Sequence, residues 1–123
     1  MLATSSYFPH PMHMPANVFV HHVLFYTPAA ASAADQAKLL EGLQKLQRIP
    51  TIHLSHIGTP AATNRAVIDR RYTYSWLCFF ASAAAEQAYQ EHPLHDEFRR
   101  DYARYWENVV IYDAIGQTSQ TAG

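Results

Sequence analysis

The chain has 123 residues, of which 49% are hydrophobic and 15% are charged. That length accommodates one domain, and the apolar content excludes an intrinsically disordered chain. Nine basic and ten acidic residues give a formal charge of -1, which provides no electrostatic attraction to nucleic acid or to an anionic membrane.

The two ends of the chain differ in composition from the rest. Residues 1–17 contain no Lys or Arg, no long apolar run and three prolines, which does not match a signal peptide. We therefore expect a flexible segment over 1–17, a single domain over 18–115 and a loose tail over 116–123. No apolar run approaches the roughly 20 residues that a membrane helix needs, so we expect a soluble cytoplasmic protein.

The first half of the domain predicts a strand, a helix and a strand. Residues 18–27 are β-branched and aromatic with little polar alternation, which is typical of a strand covered on both faces. Ser32, followed three residues later by Asp35, predicts a helix N-terminus, and leucines at three- and four-residue spacing extend the helix to about Gln47. A proline then ends the helix, and residues 51–58 predict a second strand.

The second half predicts two strands that flank a broken helix. Residues 59–69 have the composition of a loop, and residues 71–80 alternate as a third strand. A serine-capped short helix follows over 82–89, and Pro93 is suited to the first turn of another helix. Residues 108–115 predict a fourth strand.

The resulting order, βαββαβ, predicts an α+β fold of the ferredoxin-like type. Its four-stranded antiparallel sheet carries the helices on one face. Apolar residues occur on both faces of the first and third predicted strands. The sheet face without helices is therefore expected to be buried as well, most simply against a second copy, so we expect a homodimer.

Several segments of the chain resemble one known family. Residues 89–98 read YQEHPLHDEF and resemble the Y-x-x-H-P-x-H signature of the stress-responsive A/B barrel (Dabb) family. The strand around His21, the helix end at 49–50 and the closing strand at 110–113 resemble the same family, so the resemblance covers roughly residues 18–115. It implies that two ferredoxin-like domains pair into a dimeric α/β barrel.

The resemblance also implies a site for a small apolar carbonyl compound. A polyketide cyclase of this family performs an aldol condensation without a cofactor, and its tyrosine and histidine pair matches Tyr89 and His95 here. Where that cyclase has a further pocket histidine this chain has Tyr74, and where it has a pocket tyrosine this chain has Gly42, so the same substrate is not expected. The candidate ligand-binding residues are Tyr74 together with the positions that match the remaining pocket wall, namely His21, Val23, Phe25, Trp106 and Ile111.

The residue types at that site suit proton transfer beside a carbonyl. A histidine ordinarily titrates near pH 6.5, so His95 is suited to act as a base at neutral pH. The Tyr89 hydroxyl is suited to donate a hydrogen bond to the oxygen on which negative charge develops. Equally, a histidine beside a proline can cap a helix, and a tyrosine can lie in the core with a paired hydroxyl. A non-catalytic, stress-related dimer is therefore the alternative.

The sequence also bears on metal binding, on haem or oxygen handling, and on the role of its single cysteine. His21 and His22 are strand neighbours, so their side chains point in opposite directions, and the chain has no HExxH motif or cysteine cluster. No metal ligands are therefore predicted. A metal site at His10 and His13 stays open. A haem or oxygen-handling function rests on fold analogy alone and predicts a coloured protein. The single cysteine, Cys78, lies among apolar residues and is predicted to be a buried apolar side chain.

The helix after Pro93 carries a run of charged residues. Arg99, Arg100 and Arg104 alternate there with acidic residues. Such alternation is typical of a solvated helix face with weak pairs at i,i+4 spacing. We therefore expect this run to form a solvated helix face.

Overall fold

The computed structural model describes residues 12–117 of the chain. The four strands are β1 (Phe19–Tyr26), β2 (Leu54–Gly58), β3 (Tyr74–Phe80) and β4 (Asn108–Ile115). The helices are α1 (Ala33–Leu46), α2 (Ala83–Gln90) and α3 (Pro93–Tyr102), the last followed by a 3-10 turn (Ala103–Tyr105). This order confirms the predicted ferredoxin-like α+β fold. Most of the predicted terminal segments, including His10, lies outside the described residues.

The four strands form one antiparallel sheet in the order β2-β3-β1-β4. The first strand is therefore central, with the third strand on one side and the last on the other. At its middle, His21 lies opposite Cys78 of β3 and Asp113 of β4. This register brings residues from the two ends of the domain to the same level of the sheet.

The helices cover one face of the sheet and form the core with it. Leu39, Leu43 and Leu46 of α1 have at most 1% of their surface exposed. They pack against alternate residues of the strands, including the fully buried Trp76 and Phe80. Burying each of these side chains contributes about 1.5–3 kcal/mol, so this layer accounts for most of the hydrophobic stabilisation.

Each helix begins at the residue that the sequence predicts. The hydroxyl of Ser32 accepts the Asp35 N–H at 3.0 Å, and the hydroxyl of Ser82 accepts a backbone N–H at 3.1 Å. At the third helix, Nδ1 of His92 accepts the N–H of Leu94 at 3.0 Å, which is the capping role weighed above for a histidine before proline. These bonds satisfy N–H groups that the first helical turn leaves without partners.

The second and third strands begin later than predicted. Thr51 lies in a turn in which the Ile52 N–H donates to the Ile49 carbonyl at 3.2 Å, and the His53 N–H donates to the Phe79 carbonyl of β3 at 2.9 Å just before β2 begins at Leu54. The third strand begins at Tyr74 rather than at Arg71. Within residues 12–117, no helix is long and apolar enough to cross a membrane.

The sheet face without helices, called the far face below, carries many apolar side chains. Alternate residues of β1 and β3 point there and are half-buried in the single chain, among them Leu24, Leu77 and Phe79. On the outer strands, Leu54 and Tyr112 of this face are 56% and 61% exposed. The predicted apolar second face is therefore present.

Candidate functional site

A cleft opens between the helix-covered face of the sheet and the helices α2 and α3. Its volume is about 140 Å³, close to that of an apolar cavity that holds one benzene molecule, roughly 150 Å³. A single ring or a short chain therefore fits it. Its apolar lining residues are Val23, Phe25, Leu46, Trp76, Phe98, Trp106, Val109 and Ile111, and its polar lining residues are His21, Tyr89, Gln90, His95 and Arg99.

Tyr89 lies at the inner, polar end of the cleft. Only 1% of its surface is exposed, and its hydroxyl oxygen accepts a hydrogen bond from Trp76 Nε1 at 2.9 Å. Burial is the main reason that the pKa of its phenol is raised above its ordinary value. Because Trp76 donates to this oxygen, the hydroxyl hydrogen of Tyr89 is directed away from the indole, where it can bond another oxygen.

His95 packs edge-on against the Tyr89 ring, with the ring centres 4.8 Å apart. It is the third residue of α3 and is 7% exposed. Its Nδ1 is buried and has no hydrogen-bond partner among the described residues. Burial, and then the positive charges of Arg99 and His21, lower the pKa of His95 to about 4. The imidazole is therefore neutral at pH 7.

His21 is held between two carboxylates. Its Nδ1 lies 2.7 Å from Asp113 Oδ1 and 3.8 Å from Glu86 Oε2. Since an ionised carboxylate only accepts hydrogen bonds, we assign a proton to this nitrogen. Neither acidic partner of His21 is predicted from the sequence. The pairing of the first and last strands places Asp113 directly opposite His21, so a predicted register would have found it.

A chain of side-chain hydrogen bonds links α2 to α3 at the mouth of the cleft. Gln90 Nε2 donates to Glu86 Oε2 at 2.8 Å, and Gln90 Oε1 accepts from the Arg99 guanidinium at 3.3 Å. Arg99 is exposed, as predicted for a solvated helix face, but it also lines the cleft. Its neighbour Arg100 pairs with Asp101 at 3.0 Å in the exposed arrangement expected for the whole run.

Aromatic packing shapes the apolar wall. Trp106 stands edge-on to Phe25, with ring centres 5.0 Å apart, and stacks on Phe98 at 5.3 Å. Ile111 closes the wall from the last strand and stays 51% exposed. Four predicted wall positions therefore lie together in the cleft, namely Val23, Phe25, Trp106 and Ile111.

Two other positions singled out in the sequence lie away from the cleft. Tyr74 is buried in the core, where its hydroxyl donates to the Gln36 carbonyl at 3.1 Å, and it is not a lining residue. Gly42 faces Tyr102, and a Cβ atom at Gly42 would lie 2.6 Å from Tyr102 Cγ. The Tyr102 ring thus fills the space beside this helix position.

The described part of the chain offers neither a metal site nor a reactive thiol. Among residues 12–117, no three His, Cys, Asp or Glu side chains converge as a metal site. Cys78 is fully buried, and the pKa of its thiol is raised by burial and then by the charge of Glu86. A thiol in this environment stays protonated at neutral pH and is a poor nucleophile.

Comparison with known proteins gives both a family and structural neighbours. The sequence profile of the stress responsive A/B barrel domain family matches residues 19–115. Comparison with curated proteins finds no match.

Solved structures similar to this one come from plants and bacteria. A hydroxynitrile lyase from Passiflora edulis is 22% identical with a TM-score of 0.68, over 89% of this chain and 100% of that one. A Dabb family protein with a ferredoxin-like fold from Mesorhizobium loti is 22% identical with a TM-score of 0.67, over 81% and 97%. A dimeric ferredoxin-like protein of unknown function from Thermobifida fusca is 18% identical with a TM-score of 0.66, over 86% and 99%. At these identities the likeness shows the fold.

Proposed function

Because this chain belongs to the stress responsive A/B barrel domain family, we propose that its cleft binds a small, partly apolar carbonyl compound and catalyses proton transfer on it without a cofactor. One observation carries the proposal. The neutral imidazole of His95, with a buried nitrogen that lacks a partner among the described residues, lies against Tyr89 in a cleft with otherwise largely apolar walls. A ligand oxygen or an acidic C–H group is the missing neighbour.

The two side chains have complementary roles in this proposal. His95 acts as a general base, since its imidazole is neutral at pH 7 and its buried Nδ1 has no partner among the described residues. The lowered pKa makes it a weaker base than an ordinary histidine, so we expect its contribution to the rate near the lower end of the usual range of about 10²- to 10⁴-fold. Tyr89 acts as a hydrogen-bond donor to the carbonyl oxygen. The hydrogen bond that Tyr89 accepts from Trp76 polarises its hydroxyl and strengthens that donation.

The reaction class that these roles support is the making or breaking of a C–C bond beside a carbonyl. In an aldol-type reaction, His95 takes a proton from the carbon next to the carbonyl, and Tyr89 stabilises the enolate oxygen. The enolate carbon bonds to a second carbonyl, and the resulting alkoxide takes the proton back from the imidazolium. The neighbour from Passiflora edulis is a hydroxynitrile lyase. Cleavage of a hydroxynitrile also needs a base, which takes the hydroxyl proton as the C–C bond breaks and the carbonyl forms, and then returns the proton to the departing cyanide.

A matched set of variants tests this proposal. Binding of 2-hydroxyacetophenone, a single ring whose side chain carries a hydroxyl that can donate to His95 and a carbonyl that can accept from Tyr89, is measured by NMR titration for wild type, His95→Leu and Tyr89→Phe. We expect each substitution to weaken binding about 5- to 10-fold, since each removes one ligand hydrogen bond worth about 1 kcal/mol. His92→Asn preserves the helix cap outside the cleft and serves as the control. Unchanged binding in both cleft variants refutes the proposal.

A purely structural role is the second candidate function. The hydrogen bond between Trp76 and Tyr89 favours it, because this bond joins the sheet to the second helix in the fully buried core. Tyr89→Phe is expected to cost about 1 kcal/mol of stability under either function. Binding of the carbonyl ligand, not stability, therefore separates the two candidates.

The working unit in this proposal is a homodimer that pairs through the far face. The half-buried apolar residues there would leave water on pairing, and the Thermobifida fusca neighbour is described as dimeric. Tyr112→Lys places a charge on this face at a side chain that is 61% exposed in the single chain. Light scattering should show a monomer for this variant. The control is Val67→Lys, at a loop residue that is 90% exposed, and this variant should remain a dimer. A wild-type monomer would contradict the pairing.

A further inference from the structure

Arg99 is the residue with a permanent positive charge among those that line the cleft. None of the ion pairs formed within residues 12–117 includes it. Its one hydrogen bond to a side chain of the described chain is the long contact with Gln90 at 3.3 Å. A guanidinium has five N–H donors, so most of its bonding capacity is available to a ligand.

Two side chains of the second helix, Gln90 and the buried Glu86, hold the Arg99 side chain at the cleft mouth. Gln90 accepts from Arg99 through its amide oxygen and donates through its amide nitrogen to the carboxylate of Glu86 at 2.8 Å. Glu86 is only 8% exposed. Arg99 therefore crosses from the third helix to the second, whereas Arg100 on the same helix pairs with its exposed neighbour Asp101.

The nearby acidic groups do not occupy the position that an anionic ligand would take. Neither Glu86 nor Asp113 lines the cleft. Both carboxylates lie within 4 Å of the proton-bearing nitrogen of His21, at 3.8 and 2.7 Å. Among the described residues, the lining of the cleft therefore includes a guanidinium and no carboxylate, and an electropositive mouth of this kind favours an anion.

We propose that Arg99 binds a carboxylate on the ligand, so that the ligand is a small oxo acid with a carboxylate at the cleft mouth and an apolar body inside. The inference rests on the function proposed above and specifies its substrate class. His95 and Arg99 are four residues apart on one helix, and side chains with this spacing are neighbours about 5–6 Å apart. A carbonyl and a carboxylate on adjacent carbons can therefore reach the two residues together. Arginine is suited to this role because its planar donors match a carboxylate in pairs.

Two probes of nearly equal shape test the inference. Phenylglyoxylate carries a ketone beside a carboxylate, whereas 1-phenylpropane-1,2-dione carries a methyl ketone in place of the carboxylate. Dissociation constants for both are measured by NMR titration with wild type, Arg99→Gln and Arg100→Gln. We expect wild type to bind phenylglyoxylate about tenfold more tightly than the dione, since a charge-assisted pair at a partly exposed site contributes about that factor. Arg99→Gln should remove the preference, and Arg100→Gln should keep it.

The outcomes separate this inference from the proposed function. If the dione and phenylglyoxylate bind wild type equally, the role of Arg99 is refuted while the carbonyl site stands. If neither binds, both proposals fail. If phenylglyoxylate is preferred but Arg99→Gln keeps the preference, another group recognises the carboxylate and the assignment to Arg99 is wrong. Because Arg99 is exposed, its substitution leaves the core intact, and an unchanged melting temperature verifies this.

Discussion

Replacing His95 by leucine should change how the stability of the protein depends on pH. In the folded protein the pKa of His95 is about 4, against an ordinary value of 6.5. Between these two values the unfolded chain binds a proton that the folded protein does not, so the free energy of unfolding falls as the pH falls. The side chain is 7% exposed, so solvent screens this effect little. From these values His95 costs the folded state about 2 kcal/mol at pH 5 and about 3 kcal/mol at pH 4.

Urea denaturation, followed by tryptophan fluorescence, measures the effect. Wild type and His95→Leu are compared at pH 7.5, 6.5, 5.5 and 5.0 at one protein concentration, which holds any contribution from association constant. Other titrating groups are present in both proteins, so their contributions cancel in the difference between the two free energies of unfolding. We expect wild type to lose about 2 kcal/mol relative to the variant between pH 7.5 and pH 5.0. A difference that stays constant across this range would show that the imidazole is not held neutral by its surroundings, and would refute the electrostatic basis of the proposed base.

Three further predictions concern packing, capping and thiol reactivity. Gly42→Ala should lower the free energy of unfolding by about 1–3 kcal/mol, because the added Cβ meets the ring of Tyr102. Urea denaturation of the double variant with Tyr102→Leu tests this reason. If the second substitution does not reduce the loss caused by Gly42→Ala, the clash is not its cause. Ser82→Ala should cost about 1 kcal/mol by removing a helix cap, whereas Ser82→Asp should retain most of the stability, and equal melting temperatures for all three proteins would contradict the capping role. Cys78 is fully buried with a raised thiol pKa, so iodoacetamide, monitored by mass spectrometry, should modify it only after unfolding; rapid labelling of the native protein would refute this.

The sequence predicts the fold well because its local signals agree with one another. Each of these signals acts over only a few residues. They are the alternation in the strands, the serines that cap the first two helices and the proline in the first turn of the third helix, and each is found at its predicted place in the structure. The second strand starts later than its sequence pattern predicts, because the Ile52 N–H bonds the Ile49 carbonyl in a turn after the first helix. Other details depend on distant parts of the chain. Alternation places Tyr74 on the same strand face as Trp76 and Phe80, yet it carries no information on the Gln36 carbonyl, 38 residues away, that the Tyr74 hydroxyl reaches.

The site is less accessible to sequence reasoning than the fold, for the same reason. Tyr89 and His95 were found through a short motif, whereas His21 and Asp113 are 92 residues apart and meet only in the sheet. The charge pattern around Arg99 is the same as that of an ordinary solvated helix. Arg99 differs from Arg100 only through the packing of α3 against α2, because this packing places the amide of Gln90 within reach of Arg99.

The pairing of the first strand with the last has a consequence for how the protein is made. During synthesis β1 leaves the ribosome first and β4 last, and until β4 pairs, one edge of the aromatic and β-branched first strand stays open. Open edges of this composition invite pairing with other chains. The final strand also supplies Ile111 and the Asp113 partner of His21. A nascent or truncated chain therefore lacks part of the cleft wall, so the cleft is complete only when the whole domain has been made.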